Sequence, residues 1–152
     1  MDAVIQAIQG SMNTLNAAVQ AFISGFPLFM LHGGVTLFLL FLGVSVYVLL
    51  TPHKELELLR ERENASAGLA LAGVIIGMAI PLAACLASAV SLYDLLIWAV
   101  PLLILQLIAF RFVDLLLHDL PRRIRDNEAG AAILLVAVKI AVGLISAAAV
   151  SG

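Results

Sequence analysis

The stretch Glu63-Asn64-Ala65-Ser66-Ala67-Gly68 has a second version in the same chain, Asp126-Asn127-Glu128-Ala129-Gly130-Ala131. Each closes a charged segment and opens a long apolar run, the pattern of a loop, an asparagine helix cap and the first turn of a membrane helix. Two such junctions predict an internal duplication. Composition agrees with the membrane assignment: hydrophobic residues fill 63% of the 152 positions and charged residues only 12%, with a mean hydropathy of +1.13. Soluble domains carry about a quarter charged residues, so this balance belongs to a chain dissolved in lipid.

Upstream of the first junction, Leu28 to Leu50 is apolar apart from His32, Thr36 and Ser45, long enough to span a hydrocarbon core of roughly 30 Å. Thr51-Pro52 stops this span, and the alternating charges of His53 to Glu63 read as a short surface helix. The second span follows Asn64 and reaches about Leu92. Gly73 and Gly77 give it a small-xxx-small step for close helix packing, and Pro81 is expected to kink it. Tyr93 and Trp98 mark an interface, and a third span covers about Leu95 to Leu117. Asn127 then caps a fourth, from Ala129 to Val150.

The N-terminal residues 1–26 differ in kind. Ile5, Ile8, Met12, Leu15, Val19, Phe22 and Phe26 are spaced alternately by three and four, with Gln6, Gln9, Asn13, Asn16 and Gln20 elsewhere on the helix. This predicts an amphipathic helix that changes geometry at Pro27 and lies on the bilayer or against the bundle; a short coiled coil with a second copy is the sharper alternative. The segment has no Lys or Arg before Lys54, so it lacks the positive region of a cleaved signal, and the chain reads as mature.

Lys54, Arg60, Arg62, Arg122, Arg123 and Arg125 all fall in the two connections that precede the capped helices. The positive-inside rule puts both connections in the cytoplasm and both termini outside. The predicted fold is therefore an all-α membrane protein of four transmembrane helices. They form two parallel helical-hairpin repeats, residues 28–92 and 95–152, with the amphipathic helix 1–26 on the outer side.

Thr51-Pro52-His53, Asn64 through Gly77, Ile80-Pro81-Leu82, Gln106 and the second motif Asn127-Glu128-Ala129-Gly130 together resemble a bacterial inner-membrane family called domain of unknown function 350. The similarity runs from about Val46 to the C-terminus. It implies a four-span inner-membrane protein without an assigned activity.

Lys139 is the sharpest anomaly, because a charge at mid-helix costs roughly 2.5–3.5 kcal/mol on insertion scales. Gln106 comes to a similar backbone depth on the third helix, so either the two hydrogen-bond or Lys139 snorkels toward headgroups. Arg111 and Asp114, three apart, are expected to form an ion pair in a second polar layer. Together these four residues make a candidate intramembrane polar track for an ion or small anion. Asn64 and Asn127 read as helix caps; a cytoplasmic anion or headgroup site shared with Arg122, Arg123 and Arg125 is the sharper alternative.

No nucleophile with a base, metal-ligand cluster or phosphate-cradling loop is apparent, and the single Cys85 lies in an apolar run. The expectation is a non-enzymatic protein without cofactor, metal or nucleic-acid partner. It would sit in the bilayer and associate with itself or another membrane protein through small-residue faces marked by Gly73, Gly77 and Pro81. The alternative is a small channel or transporter.

Overall fold

The computed structural model describes residues 1–50, 64–116 and 119–152. Among these the chain forms α1 (Asp2–Leu50), α2 (Ala65–Ser88), α3 (Leu92–Leu116), a short α4 (Leu120–Arg125) and α5 (Ala129–Ser151). All but α4 are long and apolar enough to cross a membrane. The stop at Thr51-Pro52 and the surface helix expected over His53 to Glu63 lie outside the described residues, as do Leu117 and His118.

The chain divides into two compact units, Met1–Val35 and Thr36–Gly152. The first is a single helical stretch that continues through Pro27, so the change of geometry expected there does not interrupt the helix. Proline removes one backbone donor, a loss that apolar helices tolerate where local groups compensate. Side chains from Ile5 to Phe26 along the three-four seam are 44–65% exposed.

Local capping sets the helix limits in the second unit. Asn64 opens α2 by accepting from the Ala67 N–H at 2.9 Å. The helix ends at Ser88, short of the expected Leu92, because a cap starts α3 early. Asp94 donates its N–H to Ser91 Oγ at 3.2 Å, the forward arm of a capping box, and its Oδ2 accepts from the Val90 N–H at 3.1 Å, one residue ahead of the N-cap amide. The run Arg122, Arg123 and Arg125, read from sequence as part of a connection, forms the last turn of α4. Pro121 sits in the first turn of that helix, after Asp119 at φ 65°.

The closest packing joins α2 and α5. A Cβ built on Gly143 would lie 2.5 Å from the Gly77 carbonyl oxygen, and one on Gly77 would lie 2.9 Å from the Lys139 carbonyl oxygen. One on Gly73 would meet Val136 Cγ2 at 2.9 Å. Only glycine lets the two backbones approach this closely. Matched contacts advance together along the chain, Ser66 with Asn127, Gly73 with Val136, Gly77 with Gly143, so α2 and α5 run in the same direction.

On the other side of the bundle Gly43 of α1 abuts Leu103 of α3 and Met78 of α2, at 3.0 and 3.2 Å from its Cβ position. One turn later the ring of Tyr47 meets Phe110 edge-on, centroids 6.1 Å apart. Ala67, Ala70, Ile124, Ala131 and Leu135 form a buried cluster near the start of α2 and α5, with Val113 packed against it.

Candidate functional site

Three helices bring an ionisable cluster together beneath that turn of the bundle. The Lys139 side chain is 0% exposed and that of Asp114 5%. Lys139 Nζ donates to Tyr47 Oη at 2.6 Å, and Tyr47 Oη in turn donates to Asp114 Oδ2 at 3.3 Å. Lys139 Nζ also lies 3.9 Å from Asp114 Oδ1, an ion pair without a direct hydrogen bond. The ammonium sits 4.4 Å from the Tyr47 ring centroid and 5.4 Å from that of Phe110, and both π-faces favour the cation. Charge, hydroxyl and aromatic faces thus replace the water that Lys139 lost on entering the helix.

The hydrogen bond expected between Lys139 and Gln106 is not made. Gln106 is fully buried, and neither of its side-chain polar atoms has a hydrogen-bond partner. The reason is geometric: a helical side chain leans toward the N-terminus of its own helix. In α5 that direction leads back toward the end where α3 finishes. The Lys139 head therefore reaches Asp114, near the last turn of α3, although Gln106 matches its backbone depth. Nor does Lys139 snorkel to the surface.

The second expected layer also changes. Gln106, Phe110 and Asp114 repeat every four residues on one face of α3, whereas Arg111 is turned about 100° from Phe110 and is exposed. Among the described residues Asp114 is ion-paired with Lys139, not with Arg111. Tyr47, the hydroxyl that links the two charges, was absent from the sequence candidates. A tyrosine three residues inside an apolar helix end reads as an interfacial aromatic, and nothing local signals its inward rotamer.

The paired asparagines do something the sequence did not indicate. Asn64 is the N-cap of α2, and its Nδ2 also donates to Ile124 O at 2.8 Å and Arg125 O at 3.2 Å. Asn127 does not cap α5. Glu128 occupies that position without a side-chain capping bond, and Asn127 takes a left-handed φ of 60°. Asparagine tolerates that conformation better than most residues. So placed, its Oδ1 accepts from the Ser66 N–H at 3.0 Å and caps the neighbouring helix α2. The Ser66 and Ala67 amides are therefore engaged by two asparagine oxygens, and these donors are not open to an anion. Arg123 pairs with Glu128 at 2.6 Å and Arg122 with Asp126 at 3.7 Å, both on the surface, while Arg125 is exposed.

Losing the Asn64 side chain removes a cap and two bonds across to α4. Asn64→Ala is expected to lower stability by ~1–3 kcal/mol, a cap together with carbonyls left short of donors. Asn127→Gly keeps the backbone shape and should cost only the ~1 kcal/mol of a lost cap. Hydrogen exchange at the Ser66 and Ala67 amides reads the difference: Asn127→Gly should speed Ser66 more than Ala67, and equal acceleration of both would contradict the crossed capping.

A sequence model described as Domain of Unknown Function (DUF350) matches residues 21–150. The chain belongs to the DUF350 family. The match begins well before Val46, where the resemblance read from the motifs started, and so takes in the whole of the first predicted span. The DUF350 chain is 32% identical over 115 residues to the UPF0719 inner membrane protein YjfL of Escherichia coli strain K12, covering 76% of this chain and 85% of that relative. The same protein of Escherichia coli O157:H7 matches to the same extent. No solved structure matches it. Inner-membrane relatives and four apolar helices long enough to cross a bilayer make this DUF350 chain a bacterial inner-membrane protein.

Proposed function

We propose that the protein is a non-enzymatic component of an inner-membrane assembly, and that its polar core holds the bundle shut. The observation that carries this reading is the closure of the Lys139 ammonium on Tyr47 and Asp114 at full burial. Charges arranged to line an aqueous path would face water; these face each other. The pairing joins α1, α3 and α5, and the glycine contacts join α2 to α5, so every apolar helix contributes to one lock.

In this reading the two hairpins descend from a duplicated unit. Support comes from the paired Asn junctions and from α2 and α5 running in the same direction, with both asparagines meeting at the start of α2. The basic connections then face the cytoplasm and both termini the outside, following the positive-inside bias. Reporter tags placed beside Arg60 and beside Arg123 should report the same membrane side. Because Gly73, Gly77 and Gly143 are covered within one chain, association with a partner uses other surfaces.

Passage of an ion or small anion is the competing function, and one observation favours it: Gln106 is buried deep in α3 with both amide atoms unbonded, a costly arrangement that a transiting polar species would relieve. Liposome flux assays on the wild type and Lys139→Met decide between them. No flux of protons, alkali cations or halides above empty vesicles is expected. Flux in the wild type that Lys139→Met abolishes would replace the structural reading with the transport one.

A further inference from the structure

With Gly73, Gly77 and Gly143 covered inside the bundle, one candidate for association is the first unit, Met1–Val35. We infer that this unit pairs with the same segment of a second copy as a parallel, in-register coiled coil. The inference rests on the proposed topology for its polarity and on the sequence and exposure of the helix for its existence.

The apolar seam follows a strict heptad, widened by Val4 and Ile23 at its two ends. Ile5, Met12, Val19 and Phe26 occupy position a, and Ile8, Leu15 and Phe22 position d. Phe29, the next d residue, continues it beyond Pro27 and is 65% exposed. A period of 3.5 over three heptads matches a helix that winds around another helix; a lone amphipathic helix on a membrane shows a broader stripe with period 3.6. The segment is helical from Asp2 onward, in one helix with the first span.

Three further features choose a second copy over the bilayer surface. Surface-lying helices carry Lys and Arg on the polar face, and this segment has none before Lys54. Positions e and g, the flanks that meet in a dimer, hold Gln9, Asn16 and Ile23, and Val4, Ser11, Ala18 and Gly25, with no charge among them. Identical copies in register therefore meet without like-charge repulsion. The area is also sufficient. With side chains of this size offering roughly 200 Å² each, seam residues at 44–65% exposure present roughly 750 Å² per copy, close to the ~800 Å² per partner of a stable interface. Where each segment runs along the membrane normal, two copies inserted in one bilayer in the same sense align in parallel, which stacks each a residue on its own counterpart.

Cysteine crosslinking in native membranes tests this, in a Cys85→Ala background that removes the single native thiol. Ile5→Cys and Phe22→Cys should each form a disulfide-linked dimer, while Gln6→Cys and Ala17→Cys, on the outward b and f positions, should give at least tenfold less. Adding Leu15→Asp should suppress the Ile5→Cys crosslink by a similar factor and leave the thermal unfolding of the bundle unchanged, because Leu15 belongs to the separate unit. Links that form only between Ile5→Cys and Phe26→Cys in mixed samples would overturn the parallel arrangement. No links at any position, with a spin label at position 15 reporting lipid contact, would overturn the dimer in favour of the bilayer surface. Flux through the bundle would defeat the proposed function and leave this inference standing.

Discussion

Lys139→Met is expected to cost the bundle ~3–5 kcal/mol, the usual penalty when one member of a buried ion pair is removed and the other is left behind. The loss is not the worth of the pair. Asp114, whose side chain is 5% exposed, would be left buried without the ammonium that balances it, with the 3.3 Å bond from Tyr47 as its remaining contact of those described. The double variant Lys139→Met with Asp114→Leu should therefore recover most of the stability, since a packed apolar pair of similar volume is often as stable as the ions it replaces. Tyr47→Phe removes the bridging hydroxyl and keeps the ring beneath the ammonium, so a smaller loss of ~1–3 kcal/mol is expected. Reversible unfolding in mixed micelles measures all four proteins. A double variant no more stable than Lys139→Met alone would mean that Asp114 does not answer Lys139.

The two halves of this arrangement differ in how visible they are from sequence. The class, the membrane spans and the anomaly of Lys139 follow from composition and run length, because lipid imposes a simple rule on every residue that crosses it. Helix starts at Ala65 and Ala129 match as well, each following an asparagine junction. The start of α3 was missed, although Ser91-Leu92-Tyr93-Asp94 carries the spacing of a capping box. That signal was local and readable.

The partner of Lys139 was not readable in the same way. Backbone depth alone selects Gln106; selecting Asp114 requires the lean of the side chain, and selecting Tyr47 requires knowing that the end of α1 lies beside α5, across 92 positions of sequence. Asn127 illustrates a different limit. The two junctions look equivalent, yet Glu128 separates Asn127 from its helix and frees it to cap the neighbour. A duplicated motif preserves the residue type while the one-residue offset changes what that residue bonds.

Gly143→Ala is expected to destabilise the bundle by ~1–3 kcal/mol, the range for overpacking a fitted interior, and Gly143→Leu by more. The direction is set by what the new methyl would meet. At 2.5 Å from the Gly77 carbonyl oxygen the obstacle is backbone, and no rotamer change relieves it, so α2 and α5 must move apart along the line that runs through Gly77 and Gly73. Gly73→Ala should cost less, because its closest contacts, Val136 Cγ2 at 2.9 Å and Val136 Cα at 3.0 Å, are less severe than the 2.5 Å approach at Gly143. Gly130→Ala in the same helix meets nothing within 4 Å and should be neutral or raise Tm slightly through reduced backbone entropy in the unfolded chain. Thermal unfolding in detergent ranks the four variants. A Gly143→Ala protein with the Tm of Gly130→Ala would show that the α2–α5 contact is looser than this geometry requires. Separation of those helices would also withdraw Lys139 from Tyr47, so Gly143→Ala and Lys139→Met should be less than additive when combined.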